Sequence, residues 1–109
     1  MQPEEKIIIQ TTGFEATEAM EEQARKYLKK AWVIDSKIEK IEIYLDIQKQ
    51  RDDSGCTVKF NVVRAGKNVL VQQGGQDVYK CIAEGAKATL RAIRKEKEKG
   101  QTHSRALIS

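Results

Sequence analysis

Histidine and cysteine are scarce in this 109-residue chain: one histidine, His103, and two cysteines, Cys56 and Cys81. The cysteines lie far apart and outside any C-x-x-C pattern, so no ligand set of zinc-site spacing is present and no metal is expected. Both are expected to pack as small buried hydrophobes. Long apolar runs are also missing. None approaches the ~20 residues that a membrane-spanning helix requires. The first residues, Met1-Gln2-Pro3-Glu4-Glu5-Lys6, have neither the basic nor the apolar region of a secretory signal. The chain therefore reads as cytoplasmic, with no membrane partner.

Catalytic signatures are absent as well. There is no glycine-rich phosphate loop, and the pair Gly74-Gly75 before a helix reads as a turn. There is no G-x-S-x-G and no pair of histidines. Asp52 and Asp53 stand beside Arg51 in a polar loop, where solvation accounts for them. A lone His103 without a fixed partner makes a poor general base, because geometry comes before pKa. No catalytic residue, cofactor or small-molecule substrate is expected, and the chain reads as a binding module.

Charge is what the chain has in quantity, and its excess is local. Basic residues number 20 and acidic ones 16, for a net +4. Between Lys80 and Lys99 there are seven basic and three acidic residues, which leaves 13 of each sign elsewhere. At ~100° per residue of helix, Lys80, Lys87, Arg91, Arg94 and Lys95 share one arc. Val78, Ile82, Ala86, Thr89 and Ile93 share the opposite one. Such a strip is the electrostatic footprint of a polyanion binder. It is also what a solvated helix face with dipole-complementing cations looks like.

The order of elements follows from periodicity. Ile7-Ile8-Ile9 is a β-branched run and a first strand. Thr17 is a good N-cap, with Glu18, Glu21 and Glu22 in the first helical turn. Met20, Ala24, Tyr27, Leu28 and Ala31 then trace one face of that helix. Arg25, Lys26, Lys29 and Lys30 give it a basic far side. Trp32 and Val33 are expected to close over the edge of the core. Ile41 to Ile47 alternates with period two, as do Cys56 to Val62, and a further strand runs from Val69 to Gln73. Residues 48–55 read as a hairpin loop, and Asp77 caps the last helix. The result is β-α-β-β-β-α, an α+β two-layer sandwich with two helices packed on one face of a four-stranded sheet. Residues 1–100 form one domain in this reading, and 101–109 a mobile tail.

Two stretches of this chain resemble the ribosome hibernation factors, the family of the hibernation-promoting factor and ribosome-associated inhibitor A. One is Ile9-Gln10-Thr11-Thr12-Gly13-Phe14-Glu15-Ala16-Thr17-Glu18-Ala19-Met20, similar to the family's opening strand, loop and hydroxyl-capped helix. The other runs from Gln76-Asp77-Val78-Tyr79-Lys80-Cys81-Ile82 to Arg91-Ala92-Ile93-Arg94-Lys95-Glu96-Lys97-Glu98-Lys99, like the family's second helix. The likeness covers roughly residues 6 to 99 and includes the order of elements. It implies a non-enzymatic, cytoplasmic protein that binds the small ribosomal subunit when growth slows, as in stationary phase or stress. It also implies contact with ribosomal RNA through the basic faces of both helices, a blocked mRNA and tRNA channel, and a free protein that is monomeric.

Position by position, Leu28, Lys30, Tyr79, Arg91 and Lys95 fall where the family has like residues. Lys87 and Arg94 continue the basic face. Two departures stand out. Ala88-Thr89 replaces a frequent Lys-Leu pair, and Glu21 and Glu22 replace a frequently basic first turn. The chain's length suggests a short form, without the added domain that pairs two ribosomes in long forms. The candidate RNA-binding residues are thus Lys80, Lys87, Arg91, Arg94, Lys95, Arg25, Lys26, Lys29 and Lys30. Two other readings stay open from residues alone: a general double-stranded RNA binder, and a protein-interaction module whose basic face is incidental.

Overall fold

The sheet is built from apolar rows that cross all four strands. The computed structural model describes the backbone of residues 6–49 and 54–108, and the side chains of 6–47 and 55–98. Strand β1 is Ile7–Thr12, β2 Ile38–Lys49, β3 Ser54–Arg64 and β4 Val69–Gly75. They lie in the order β1-β2-β3-β4. Register aligns Ile7, Ile41, Val62 and Val69 in one row and Ile9, Ile43, Phe60 and Val71 in the next. Because successive side chains alternate faces, these rows make one apolar side. Ile41, Ile43, Val58, Phe60 and Val62 there are essentially without solvent contact. The intervening rows, such as Gln10, Tyr44, Lys59 and Gln72, face the other way.

β2, β3 and β4 form the expected antiparallel meander. β1 pairs with β2 in parallel, which requires a crossover, and helix α1 (Glu18–Leu28) supplies it. The Thr17 hydroxyl caps α1 by accepting from the Met20 N–H at 3.2 Å. Asp77 Oδ1 caps the last helix by accepting from the Tyr79 and Lys80 N–H groups at 3.0 and 3.3 Å. Met20, Ala24 and Leu28 of α1 and Cys81, Ile82, Ala86, Thr89 and Ile93 of the last helix bury against the apolar side. The buried Thr89 hydroxyl donates to the Gly85 carbonyl at 2.7 Å, so its polarity is satisfied within its own helix.

Three features differ from the sequence reading. The strands are longer: β1 continues through Thr11 and Thr12, and Gly74 and Gly75 pair with Thr57 and Cys56 rather than breaking the sheet. Ladder pairing holds those positions, and the Cys56 thiol also donates to the Gly75 carbonyl at 3.3 Å. A one-turn helix α2, Ala31–Ile34, follows α1. Its turn buries Ala31 and half-buries Trp32, but leaves Val33 88% exposed, so Val33 does not close over the core. Lastly, the final helix α3 runs from Val78 to Ile108, where the sequence reading ends it at Gly100 and makes 101–109 a tail. One glycine costs a helix interior only about 1 kcal/mol relative to alanine, and no proline follows to stop it. The expected tip of the β2–β3 hairpin, with Arg51, Asp52 and Asp53, lies outside the described residues.

Candidate nucleic-acid interface

Helices α1 and α3 lie side by side and run in the same direction. Thr17 at the start of α1 has its hydroxyl 3.3 Å from that of Tyr79 at the start of α3. Gln23 donates to the Tyr79 carbonyl at 2.8 Å. Further along, the Lys87 ammonium sits over the Tyr27 ring, 5.8 Å from its centroid, a favourable cation–π placement. Beyond that, the Lys97 ammonium donates to the Ile34 carbonyl at 2.6 Å. The basic end of α1 is thereby brought against the basic middle of α3.

A cleft of about 420 Å³ opens there, lined by Lys30, Val33, Ile34, Lys87, Leu90, Arg91 and Arg94. Four cations and three aliphatic side chains thus line it. Among the described residues none of the four is ion-paired. Four uncompensated charges converging on one opening make a local positive potential that an anion with several phosphates would fill. An adjoining cleft shares Val33, Ile34 and Arg94 and adds Lys97 and Glu98.

The α2 turn that carries Val33 is pinned from several sides. Trp32 Nε1 donates to the Ile38 carbonyl at 3.0 Å. Asp35, just past the turn, accepts from the Lys37 N–H at 3.0 Å and from Arg64 Nε at 2.7 Å. Burial on its own would raise the Asp35 pKa. The Lys37 N–H, the Arg64 hydrogen bond and the charges of Arg64 and Lys97 outweigh it and hold the carboxyl below its ordinary value. The pair is largely buried, with 4% of the Asp35 side chain and 13% of that of Arg64 exposed. The cleft is therefore preorganised on its α2 side, which lowers the ordering cost of binding.

The structure divides the nine sequence-derived candidates. Lys30, Lys87, Arg91 and Arg94 meet at the cleft. Lys26, Lys29 and Lys95 are exposed but do not line it. Arg25 is half-buried and ion-paired with Glu21 at 3.5 Å. Lys80 is exposed in the first turn of α3, where it lines a separate cleft of about 460 Å³ together with Asp77 and Glu84. At 1.5 Å per residue it stands about 16 Å along the helix from Arg91. Sequence reasoning missed Val33, Ile34, Leu90 and Lys97. Leu90 could have been found, because on a helical wheel it borders the basic arc beside Arg94.

Cys56 and Cys81 lie away from this cleft. Both are buried and reduced, with their sulfurs 3.3 Å apart, a proximity that their spacing in sequence does not reveal. Burial, followed by the contact with Cys56 and the nearby carboxylates, pushes the Cys81 thiol up to about 12. It is no nucleophile at neutral pH. Among the described residues no cluster of His, Cys, Asp and Glu could hold a metal ion, and no helix is long and apolar enough to cross a membrane.

A two-layer α+β sandwich with a cation-lined cleft between its α2 turn and α3 defines a class of small basic α+β domains. The family model described as Sigma 54 modulation protein / S30EA ribosomal protein matches residues 7–101, and the chain belongs to that family, which is the one its sequence resembles. Two solved structures show the same fold. A ribosomal subunit interface protein from Coxiella burnetii is 23% identical, with a TM-score of 0.74 over 84% of this chain and 97% of that one. The Protein Y N-terminal domain from Thermus thermophilus is 15% identical, with a TM-score of 0.63 over 82% of this chain and 93% of that one. No curated protein matches the chain.

Proposed function

We propose that this chain is a non-enzymatic, ribosome-associated hibernation factor that acts in the cytoplasm as a monomer when growth slows. Its single domain, residues 1–100, binds ribosomal RNA of the small subunit through the basic faces of α1 and α3 and blocks the channel for mRNA and tRNA. The observation that carries this reading is the convergence of Lys30, from the junction of α1 and α2, with Lys87, Arg91 and Arg94 of α3 on one cleft, none of them ion-paired among the described residues. Family membership and the fold it shares with a ribosomal subunit interface protein support it. Phosphate and 2′-hydroxyl contacts to structured RNA fit a surface of this kind. The extra first strand β1 and the presence of only one cation, Lys80, in the first turn of α3 speak against a general double-stranded RNA binder.

Co-sedimentation with ribosomes through a sucrose gradient, at low and moderate salt, tests the proposal. Wild type should travel with the small subunit and with whole ribosomes. If about five phosphates are contacted, its affinity should fall with a logarithmic salt slope of about −4. Arg91→Glu should stay at the top of the gradient, about 100-fold weaker, with an unchanged melting temperature because Arg91 is exposed. Wild type that stays at the top at both salts would sink the proposal. Binding that ignores salt would point to protein contacts instead.

A further inference from the structure

Phosphate contacts give no reason for the aliphatic side chains that line the cleft. Val33 is 88% exposed, more than the other exposed large hydrophobics of the described chain. Single exposed apolar residues are ordinary on a protein surface. This one lines the cleft together with Leu90 and with Lys30, Lys87, Arg91 and Arg94. It is also held in place, since the turn that presents it is fastened through Trp32 and through the Ile34 carbonyl. Fixed, exposed aliphatic side chains beside unpaired cations suit an occupant that offers a flat apolar face and negative charge within one small unit.

A nucleotide does this when its base is out of the stack. In a duplex the base faces are covered by their neighbours, and only phosphates and sugars reach a protein. In a loop or bulge the base is free to pack on side chains, including the planes of arginine guanidinium groups. The cleft, at about 420 Å³, falls in the range of sites that enclose a small molecule. We infer that the cleft seats the base of one unpaired nucleotide of structured RNA on Val33 and Leu90, while Lys30, Lys87, Arg91 and Arg94 hold the flanking phosphates. The inference rests on the nucleic-acid reading above and adds that the protein distinguishes unpaired from paired RNA.

Fluorescence anisotropy with the purified full chain tests it. Three labelled RNA duplexes, each annealed from two strands without a loop and of nearly equal charge, are compared: fully paired, with one bulged nucleotide, and with an abasic residue in the bulge. An acidic Glu/Leu amphipathic peptide is the fourth probe. The bulged duplex should bind about tenfold more tightly than the paired one, and the abasic duplex should return to the paired value. Val33→Ser should bind the bulged and the paired duplex equally. Equal binding of all three duplexes by wild type, or a preference retained by Val33→Ser, would overturn the inference and leave the nucleic-acid reading standing. Binding of the peptide with none of the duplexes bound would overturn both and assign the cleft to a protein partner.

Discussion

The same two helices touch at both ends of their layer, and the two ends do opposite things. Where α1 and α3 begin, hydroxyl, amide and carbonyl groups join them: Thr17 to Tyr79, and Gln23 to the Tyr79 carbonyl. Carboxylates surround that end, with Glu18 and Glu21 in the first turn of α1 and Asp77 and Glu84 around the start of α3. Where α1 finishes, four cations and three aliphatic side chains line one cleft instead. At the first end, polar groups cap the helices and join them. At the second, none of the four cations is ion-paired among the described residues, and charge of one sign costs self-repulsion unless a partner supplies the other sign. On the proposed reading the first end is structural and the second binds.

The largest effect should come from releasing the corner that shapes the basic end. Asp35→Ala leaves the Arg64 guanidinium largely buried without its carboxylate, and breaking such a pair costs about 3 kcal/mol. The loss is read from urea unfolding followed by fluorescence of Trp32, the only tryptophan, which reports on this corner directly. The pH dependence has a definite sign. The Asp35 pKa is lowered in the folded state, so its stabilisation is present above the unfolded value of about 4 and is lost as pH falls through the folded value. The gap between wild type and Asp35→Ala should therefore be widest at neutral pH and close in acid. A gap of equal size at pH 7 and pH 3 would refute the role given to this pair.

A smaller effect probes the seam on which both ends depend. A Cβ added at Gly85 would lie 2.9 Å from Phe60 Cζ and 3.3 Å from Gln73 Cβ. Phe60 is fully buried and cannot swing away. Overpacking of this kind costs about 1–3 kcal/mol, against about 1 kcal/mol that alanine returns through helix propensity. Gly85→Ala should thus destabilise by up to about 2 kcal/mol. The same change on an open helix face would stabilise, so a rise in the unfolding midpoint would show that α3 does not sit this close to the sheet.

Much of this architecture is legible in the residues. The alternation of Ile41 to Ile47 and Cys56 to Val62 specifies a sheet with one apolar side, and both helix starts are written in Thr17 and Asp77. The resemblance adds the family, and the family model agrees. What was hidden depends on three-dimensional approach. Periodicity cannot show that α2 forms from four residues and turns Val33 outward, because so short a helix has no period. Nor can it show that Cys56 and Cys81 meet. The basic strip was legible as a list of residues, but its division was not. A helical wheel places Lys80 with Lys87 and Arg91 because it projects away the helix axis, along which Lys80 is separated from them.

That separation sharpens the comparison most finely and gives the smallest expected change. Lys80 and Arg91 share an arc of α3, yet Lys80 lies among Asp77 and Glu84, and Arg91 with the other cations of the cleft. With two carboxylates nearby, Lys80 contributes little net positive potential, and at about 16 Å along the helix it is more than a Debye length from the cleft at physiological salt. Lys80→Glu should therefore weaken ribosome co-sedimentation by about twofold or less, although it changes the formal charge by the same two units as Arg91→Glu. If the two variants lose binding equally, net charge alone governs association and the cleft has no special standing. If Lys80→Glu binds like wild type while Arg91→Glu does not, position along the helix decides, and the basic end is the surface that meets the RNA.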